Sequence, residues 1–151
     1  MTTVTEDLAR KHLRYEVLPH RRTWTANEEA AAVGVPREDI AKTVVFITPR
    51  GYVRAVVPAS KKVDIDRVRT VLADSATRLA TEIELVLAYP MFELGAIPPF
   101  GGPYGDRTIV DPELLERDTI VFEAGSQHQS VRMRPADVVT LSGAEVAPIC
   151  R

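Results

Sequence analysis

The stretch MFELGAIPPFGGPYG, residues 91–105, contains four glycines and three prolines. The rings of Pro98 and Pro99 fix φ at about −65° and remove two hydrogen-bond donors, so this loop is stiff. Its glycines allow backbone angles and close approaches that a Cβ would prevent. A stiff apolar loop suits the wall of a pocket that presents main-chain N–H groups to a small polar ligand. The alternative interpretation is a proline-rich connection that is packed by its own aromatic and aliphatic side chains.

Length and composition indicate one globular domain that spans residues 1–151. The chain is 45% hydrophobic and 26% charged, which is ordinary for a folded domain. Its only cysteine, Cys150, excludes an intramolecular disulfide and a cysteine-rich metal site. We predict no metal and no cofactor.

The net charge of −2 restricts the possible partners. It comes from 19 basic and 21 acidic residues, which argues against a protein that coats DNA or long RNA. Contact with a few phosphates at one end of an RNA remains open. Because the sequence has neither a signal peptide nor an apolar run of roughly 20 residues, we expect a soluble, cytoplasmic protein without a membrane partner.

Hydrophobic periodicity and capping residues predict alternating short helices and strands. Thr25 and Thr81 each begin a capping-box pattern, and Thr5 is a candidate cap for the first helix. The predicted helical segments are 5–12, 26–33, 37–41, 64–73, 82–89, 112–117 and 135–141, and the predicted strands are 15–18, 42–48, 52–57, 78–80, 108–110, 119–123 and 130–134.

This order of elements lacks regular βαβ alternation, so it predicts a mixed α/β (α+β) domain. We expect a curved or barrel-like sheet with helices outside it. Residues 124–126 are predicted to form the turn between the last two strands.

Lys42 is the strongest charged candidate for a functional site. It lies where a short turn gives way to the apolar strand 42–48, so its base should be fixed while its ammonium extends past the sheet edge. A lysine ammonium is a compact charge suited to phosphate. The alternative is a lysine whose aliphatic stem covers the start of a strand while its ammonium stays in water.

Other polar residues allow both structural and functional interpretations. Asp111 is either a helix cap before Pro112 or a pocket carboxylate. Ser126 is an oxygen donor or a turn residue, and His128 lies in a turn from which it could reach a ligand. The sequence patterns of zinc hydrolases, serine hydrolases and nucleotide-binding loops are missing.

Five motifs carry a family resemblance. In their order along the chain they resemble the YbaK/ProX family, the aminoacyl-tRNA deacylases related to the editing domain of bacterial prolyl-tRNA synthetases. The resemblance extends from about His20 to Leu141. The motifs are IAKTVVF at 40–46, VRAVVPA at 53–59, GAIPPFG at 95–101, VD at 110–111 and AGS at 124–126.

The resemblance implies a fold, a reaction and a set of site residues. Members of the family have a mixed sheet, partly closed into a barrel, with surrounding helices. They hydrolyse the ester that joins a wrong amino acid to the 3′-terminal adenosine of a tRNA. The implied catalytic residues are Lys42, Gly95, Ala96 and Ile97, and the implied substrate-binding residues are Thr43, Pro98, Pro99, Phe100, Gly101, Asp111, Gly125, Ser126 and His128.

The implied reaction requires few catalytic groups because an aminoacyl ester is already activated towards hydrolysis. Backbone N–H groups of residues 95–97 are expected to stabilise the oxyanion, and Lys42 to hold the terminal phosphate or sugar. The sequence shows no clear general base, so we hypothesise that the ribose hydroxyl of the substrate helps to place the water. Apolar residues near both motifs predict a small pocket for alanine, serine, threonine or cysteine.

The expected partner is the acceptor end of a mischarged tRNA, and an aminoacyl-tRNA synthetase is a second candidate partner. Two other functions stay open on sequence grounds. One is a non-catalytic module that senses a small ligand or an aminoacyl-tRNA, and the other is hydrolysis of an aminoacyl ester that is not on tRNA. Candidate tRNA contacts besides Lys42 are Arg21, Arg22, Lys61 and Lys62.

Overall fold

The computed structural model describes residues 4–102 and 105–151, so Pro103 and Tyr104 of the glycine- and proline-rich stretch lie outside the described residues. Within these residues, no helix is long and apolar enough to cross a membrane. The α-helices are α1 (Val4–Arg10), α2 (Ala26–Val33), α3 (Ile65–Leu72), α4 (Glu82–Ala88) and α5 (Pro135–Ser142), and 3₁₀ turns cover Arg37–Asp39 and Pro112–Glu116. The strands are β1 (Tyr15–Pro19), β2 (Ala41–Thr48), β3 (Gly51–Pro58), β4 (Arg78–Leu79), β5 (Arg107–Val110), β6 (Ile120–Ser126), β7 (Gln129–Met133) and β8 (Glu145–Val146).

Capping residues set the helix starts that matter most for the site. Thr25 accepts a hydrogen bond from the Glu28 N–H, and the Glu28 side chain bonds the backbone of Thr25 in return. Thr81 and Glu84 repeat this capping box at α4. Both boxes were predicted. The expected cap at Thr5 is wrong, because α1 already includes Val4 and Thr5 therefore lies inside its first turn.

The larger sheet has five strands in the order β4-β2-β3-β5-β8. β2 and β3 form an antiparallel hairpin that is paired along its whole length, from Ala41 with Pro58 to Thr48 with Gly51. β5 lies parallel to β3, and β8 lies parallel to β5. The sequence analysis did not predict β8, which is only two residues long and exposed.

The smaller sheet has three antiparallel strands in the order β1-β7-β6. A single parallel bridge between Ile40 and Val121 joins the region before β2 to β6. The mixed α/β class is therefore as predicted. The partly barrel-closed sheet is wrong, because the described strands form two separate sheets and neither closes on itself.

β6 continues where a turn was predicted. Residues 124–126 belong to this strand, and its register with β7 shifts between Glu123 and Ser126. The extra residues bulge because the N–H of Gly125 donates to Ala96 O and its carbonyl accepts from the Glu93 N–H, both in the glycine- and proline-rich loop. The bulge thus joins the smaller sheet to that loop.

Candidate active site

A cavity of about 410 Å³ lies between β2, the start of α2 and the loop before Pro98. Its wall combines apolar side chains with one lysine and two glutamates. This is the usual composition of a small-molecule site, where few polar groups orient a ligand against an apolar surface. The lining residues are Trp24, Thr25, Ala26, Asn27, Glu29, Ala41, Lys42, Thr43, Val44, Val45, Ala59, Leu79, Ala80, Leu85, Gly95, Ile97 and Glu123.

Five consecutive residues of β2, 41–45, reach the cavity because this strand has an open edge there. β4 pairs with β2 only at Phe46 and Ile47, and the Ala80 N–H donates to the Val45 carbonyl at 3.0 Å. No described strand pairs with residues 41–44 on that side. Since alternate residues of a strand direct their backbone groups to the same side, Thr43 presents its backbone to the cavity as Val45 does to Ala80.

Lys42 is the only lysine among the described residues that line the cavity, and Thr43 contributes a hydroxyl that lacks a hydrogen-bond partner there. The Lys42 ammonium forms no ion pair with any acidic side chain of the described residues. The Thr43 Oγ1 is buried and has no hydrogen-bond partner among those residues. Both groups are therefore available to a ligand.

The turn at residues 93–97 contributes two residues with free backbone donors to the cavity lining. Gly95 and Ile97 line it, and neither of their N–H groups donates a hydrogen bond within the described part of the chain. Ala96 differs, because its N–H donates to the Glu93 carbonyl at 3.0 Å and its side chain is buried. The Ala96 N–H is thus occupied within the turn, and Gly95 and Ile97 are the proposed oxyanion donors.

Arg54 fixes the glycine- and proline-rich loop through hydrogen bonds to two of its carbonyl groups. This arginine is 1% exposed and donates to the carbonyls of Pro98 at 2.8 Å and Gly101 at 2.6 Å. It also pairs with the buried Asp106 at 3.2 Å, and its guanidinium lies 5.1 Å from the ring centre of Tyr89. A planar guanidinium can satisfy several acceptors at once in this way. Arg54 therefore holds the prolines in place although it does not line the cavity.

Gly125 and Phe92 fix the other side of the loop. Gly125 has a φ of +90°, and a Cβ there would lie 2.7 Å from Cδ1 of Phe92. Phe92 also stacks on Tyr89 with ring centres 6.1 Å apart. The glycine is needed both for its backbone angle and for this close approach. It supports the cavity wall and does not line the cavity itself.

Two carboxyl groups lie at the buried side of the cavity. Glu29 on α2 is 3% exposed, and Glu123 on β6 is 7% exposed. Burial raises the pKa of Glu29 to about 8, and the neighbouring Glu123 adds to this rise. Burial likewise raises the pKa of Glu123 to about 7. The protein thus keeps two acids where ionisation is costly, a pattern concentrated at functional sites.

Hydrogen bonds leave part of this pair free. Oε1 of Glu123 accepts from the Thr23 hydroxyl at 2.8 Å, whereas its buried Oε2 has no partner among the described residues. Oε2 of Glu29 accepts from the Ser130 hydroxyl at 2.5 Å. Nε2 of the half-buried His20 lies 2.9 Å from the same Ser130 oxygen. A hydrogen-bonded path therefore connects Glu29 through Ser130 to a histidine near the surface.

The rim of the cavity is aromatic. Trp24 is 61% exposed, and the guanidinium of Arg22 lies 4.3 Å from the centre of its ring. Arg22 also donates to the Gln127 side chain at 2.7 Å, so this stack is anchored. An exposed indole held at the mouth of a cavity provides a flat surface for an aromatic ligand group.

The remaining predicted site residues do not line the cavity. Pro98, Pro99 and Phe100 are buried and support the loop, and Gly101 is bound through its carbonyl by Arg54. The Ser126 hydroxyl accepts from the His128 N–H, and the His128 side chain is exposed. Direct substrate contact by these residues is therefore not supported by their positions. Of the predicted set, the cavity brings together Lys42, Thr43, Gly95 and Ile97.

Asp111 caps the 3₁₀ turn that begins at Pro112, as the first of its two predicted roles requires, and it does not line the cavity. Its oxygens accept hydrogen bonds from the N–H groups of Glu113, Ile149 and Cys150. Asp111, Glu113 and Cys150 also place potential metal-ligating atoms within 4.8 Å of one another. However, burial and then Asp111 raise the pKa of Cys150 to about 12, which disfavours the thiolate that a metal requires. We assign this cluster to the joint between β5 and the C-terminal segment.

Sequence reasoning missed the carboxyl pair, Arg54 and Trp24. Glu29 lies in an alanine-rich helix with several acids, and Glu123 ends an apolar strand, so both resembled surface residues. Two signals were present. Glu29, Ala30 and Val33 share one helical face, and Arg54 interrupts an otherwise apolar strand that is buried on both sides.

The family comparison covers most of the chain. The family described as the aminoacyl-tRNA editing domain matches residues 20–141, which contain every cavity-lining residue. A comparison with curated proteins gives no match.

Three solved structures share the fold. A proposed trans-editing enzyme for prolyl-tRNA synthetase is 27% identical, with a TM-score of 0.86 over 98% of this chain and 94% of that protein. A hypothetical protein is also 27% identical, with a TM-score of 0.90 over 98% and 99% of the two chains. A proposed signal transduction protein from Marinobacter aquaeolei, 17% identical with a TM-score of 0.71, contains the fold in 31% of its length. The match over residues 20–141 confirms the predicted resemblance, and the chain belongs to the aminoacyl-tRNA editing domain family.

Proposed function

We propose that this protein is an aminoacyl-tRNA deacylase that acts in trans on tRNA carrying a wrong small amino acid. One observation carries the proposal. One cavity is lined by Lys42, whose ammonium forms no ion pair with a described residue, and by Gly95 and Ile97, whose N–H groups donate to no described residue. Membership of the editing-domain family supports the same reaction class.

The two N–H groups would stabilise the tetrahedral oxyanion that forms when water attacks the ester carbonyl. They belong to a turn that Gly125 holds through Glu93 and Ala96, and Arg54 binds the carbonyls of Pro98 and Gly101 in the segment that follows, so little reorganisation would be needed during the reaction. Preorganised donors of this kind contribute roughly 10²–10³-fold each to hydrolysis rates.

Lys42 would bind the phosphate or ribose of the terminal adenosine and so orient the ester against the turn. Its stem is fixed by β2, while its ammonium has no competing carboxylate within ion-pair distance in the described structure. Correct placement of an activated ester supplies a large part of the rate acceleration. The ribose hydroxyl of the substrate would help to place the attacking water.

The amino-acid side chain would lie against the apolar part of the wall. Val45 and Ala80 are buried there, and Leu85 and Ile97 are partly buried against them. Contact with this wall would exclude larger side chains, and such steric exclusion discriminates more strongly than the roughly 1–3 kcal/mol available per methylene. Alanine, serine, threonine and cysteine esters are the candidate substrates.

A panel of mischarged tRNAs tests the proposal. Each of several tRNAs is charged with alanine, serine, threonine or cysteine, with correctly charged tRNAs as controls, and the released amino acid is measured. We expect hydrolysis of at least one small-amino-acid ester and sparing of the correctly charged controls. No release from any member by the folded protein would overturn the deacylase assignment, and release from small esters without tRNA at the same rate would indicate a general aminoacyl esterase.

A further inference from the structure

The Glu29–Glu123 pair has no role in the mechanism above, yet it occupies the most buried polar part of the cavity. The two side chains come from α2 and β6 and are 3% and 7% exposed. The cavity-lining Glu123 has one carboxylate oxygen, Oε2, that no described residue satisfies. A buried acceptor without a donor is rare in a folded protein and calls for a partner, and a donor group of a bound ligand is the partner that its place in the cavity wall suggests.

The position of Glu123 relative to the turn is fixed by the backbone. Gly125, two residues further along β6, donates to Ala96 O and accepts from the Glu93 N–H. These bonds hold the end of β6 against the turn, and Glu123, Gly95 and Ile97 all line the same cavity. In addition, Thr23 holds Oε1 of Glu123 at 2.8 Å, which limits rotation of the carboxyl group.

The charges around the cavity match the groups of an aminoacyl ester. Lys42 suits a phosphate, the two N–H groups suit a carbonyl oxygen, and a carboxyl pair suits a cation with several N–H donors. An aminoacyl ester carries such a cation, its α-ammonium group, on the carbon next to the carbonyl carbon. An α-ammonium with three donors could satisfy Oε2 of Glu123 and still contact Glu29.

We propose that Glu29 and Glu123 bind the α-ammonium group of the aminoacyl moiety, so that the cavity accepts esters of free amino acids and rejects N-acylated ones. This inference rests on the proposed function, since it names the chemical class that the same cavity selects. An N-acylated amine is neutral, keeps a single N–H and adds bulk where the two carboxyl groups lie. Esters of formylated amino acids or of peptides would therefore be spared.

The protonation state of the pair supports this assignment. Burial holds both carboxyl groups partly protonated, and a bound cation would favour their ionised forms. The hydrogen bonds from Glu29 through Ser130 to His20 connect the pair to a half-buried side chain near the surface. Substrate binding and ionisation of the pair would thus support each other.

Binding of a stable substrate analogue tests the inference without any hydrolysis. The probes are 3′-alanylamino-3′-deoxyadenosine, in which an amide replaces the ester, and the same compound with an acetylated α-amine. Calorimetry measures their dissociation constants. We expect the wild-type protein to bind the free amine at least about tenfold more tightly than the acetylated compound, because the acetylated compound loses a charge-assisted hydrogen bond.

Two isosteric variants assign the preference to the pair. Glu123→Gln should reduce the preference for the free amine over the acetylated compound to less than about threefold. Glu29→Gln provides a second variant if the first fails to fold. Glu145→Gln, which removes an exposed carboxylate paired with Arg107, is the matched control and should keep the full preference. Thermal unfolding confirms that each variant is folded.

The outcomes separate this inference from the proposed function. Equal binding of both probes by the wild-type protein overturns the inference, as does an undiminished preference in both variants. A Glu123→Gln variant that hydrolyses slowly but keeps the preference also overturns it, since Glu123 would then act as a base. A clear preference in a protein that hydrolyses no ester supports the ammonium site and overturns only the deacylase assignment.

Discussion

Glu29 is an acid inside a helix that faces the protein interior, and its ionisation opposes folding. Its pKa is raised from 4.5 to about 8, mainly because burial removes water from the carboxylate. Between these two values the folded state binds more protons than the unfolded state. The free energy of unfolding therefore falls as the pH rises through this window, and the penalty is complete above about 8.

Glu29→Gln should remove this penalty. We expect the variant to match the wild-type protein in stability near pH 4.5 and to exceed it by roughly 3–5 kcal/mol near pH 8, because a neutral amide can still accept the Ser130 hydroxyl. Urea unfolding at a series of pH values measures the difference. Glu145→Gln is the exposed control, and a stability difference for Glu29→Gln that is constant over this pH range would contradict the account.

Single residues of the site were predictable from sequence only where their neighbours were informative. Lys42 stands at a turn-to-strand junction, which made it the strongest charged candidate, whereas its proposed role comes from the family resemblance. The burial of Glu29 and Glu123 could not be predicted from the sequence, because acidic residues in a helix and at a strand end are ordinary on protein surfaces. Their burial arises from contacts about 100 residues apart in sequence, Thr23 with Glu123 and Glu29 with Ser130.

At the scale of elements, the loop before and after Pro98 depends on one buried ion pair. Arg54 and Asp106 are 2% and 6% exposed as side chains, and Arg54 also holds the two loop carbonyls. Removing one member of such a pair leaves an uncompensated charge and unsatisfied acceptors in the interior. The loop conformation should therefore be lost together with stability.

Arg54→Ala should lower the free energy of unfolding by roughly 3–5 kcal/mol and strongly reduce deacylation, because the N–H groups of Gly95 and Ile97 lose their fixed positions. Urea unfolding and single-turnover hydrolysis measure the two effects. Arg107→Ala removes an ion pair exposed on both sides and should cost about 1 kcal/mol or less. Equal costs for the two variants would show that Arg54 does not anchor the loop.

Gly125→Ala tests the contact between the bulge in β6 and Phe92. The new Cβ would lie 2.7 Å from Phe92 Cδ1, at a φ of +90°. Gly143→Ala is the matched control, since its φ is +61° and nothing lies within 4 Å of the added Cβ. Thermal unfolding should show a loss for Gly125→Ala that exceeds the control by about 1–3 kcal/mol, the usual cost of overpacking. Equal losses would mean that backbone strain alone matters and that Phe92 moves freely.

Local sequence signals predicted the helices and strands well, but they did not predict how the strands assemble into sheets. The capping boxes at Thr25 and Thr81, and the β2–β3 hairpin around Gly51, follow from residues that are adjacent in sequence. The predicted barrel depended on which edges pair over long distances. The strand pattern does not specify this, and a single bridge between Ile40 and Val121 takes the place of a continuous ladder. The two-residue β8 is too short to give a periodic signal.

For the whole molecule, the charge distribution restricts how tRNA can bind. The net charge is −2, and Arg22 is already engaged by Gln127 and Trp24. Arg21, Lys61 and Lys62 are exposed and remain candidate contacts. Such a surface provides few phosphate contacts. We therefore expect recognition to centre on the acceptor end, with a synthetase as the proposed source of further tRNA specificity.

A salt titration of tRNA binding checks this expectation. For single-stranded RNA the slope of log K against log salt is about −0.7 per neutralised phosphate, so a footprint of about one to three contacts gives a slope between about −0.7 and −2. Lys42→Ala should reduce its magnitude by about one contact, whereas Lys11→Ala should leave it unchanged. A slope steeper than about −4 would contradict an acceptor-end footprint and indicate a broad basic surface instead.

The most direct test of the account is the single-turnover rate at which the protein releases alanine, serine, threonine or cysteine from the mischarged tRNA that it hydrolyses best. Wild type, Lys42→Ala and Lys11→Ala are compared, because both variants remove one lysine but only Lys42 lines the cavity. The account predicts a loss of at least about 100-fold for Lys42→Ala, of the size expected when a positioning contact is removed, and no change for Lys11→Ala. Wild-type release by folded Lys42→Ala would contradict the claim that this cavity is the deacylation site.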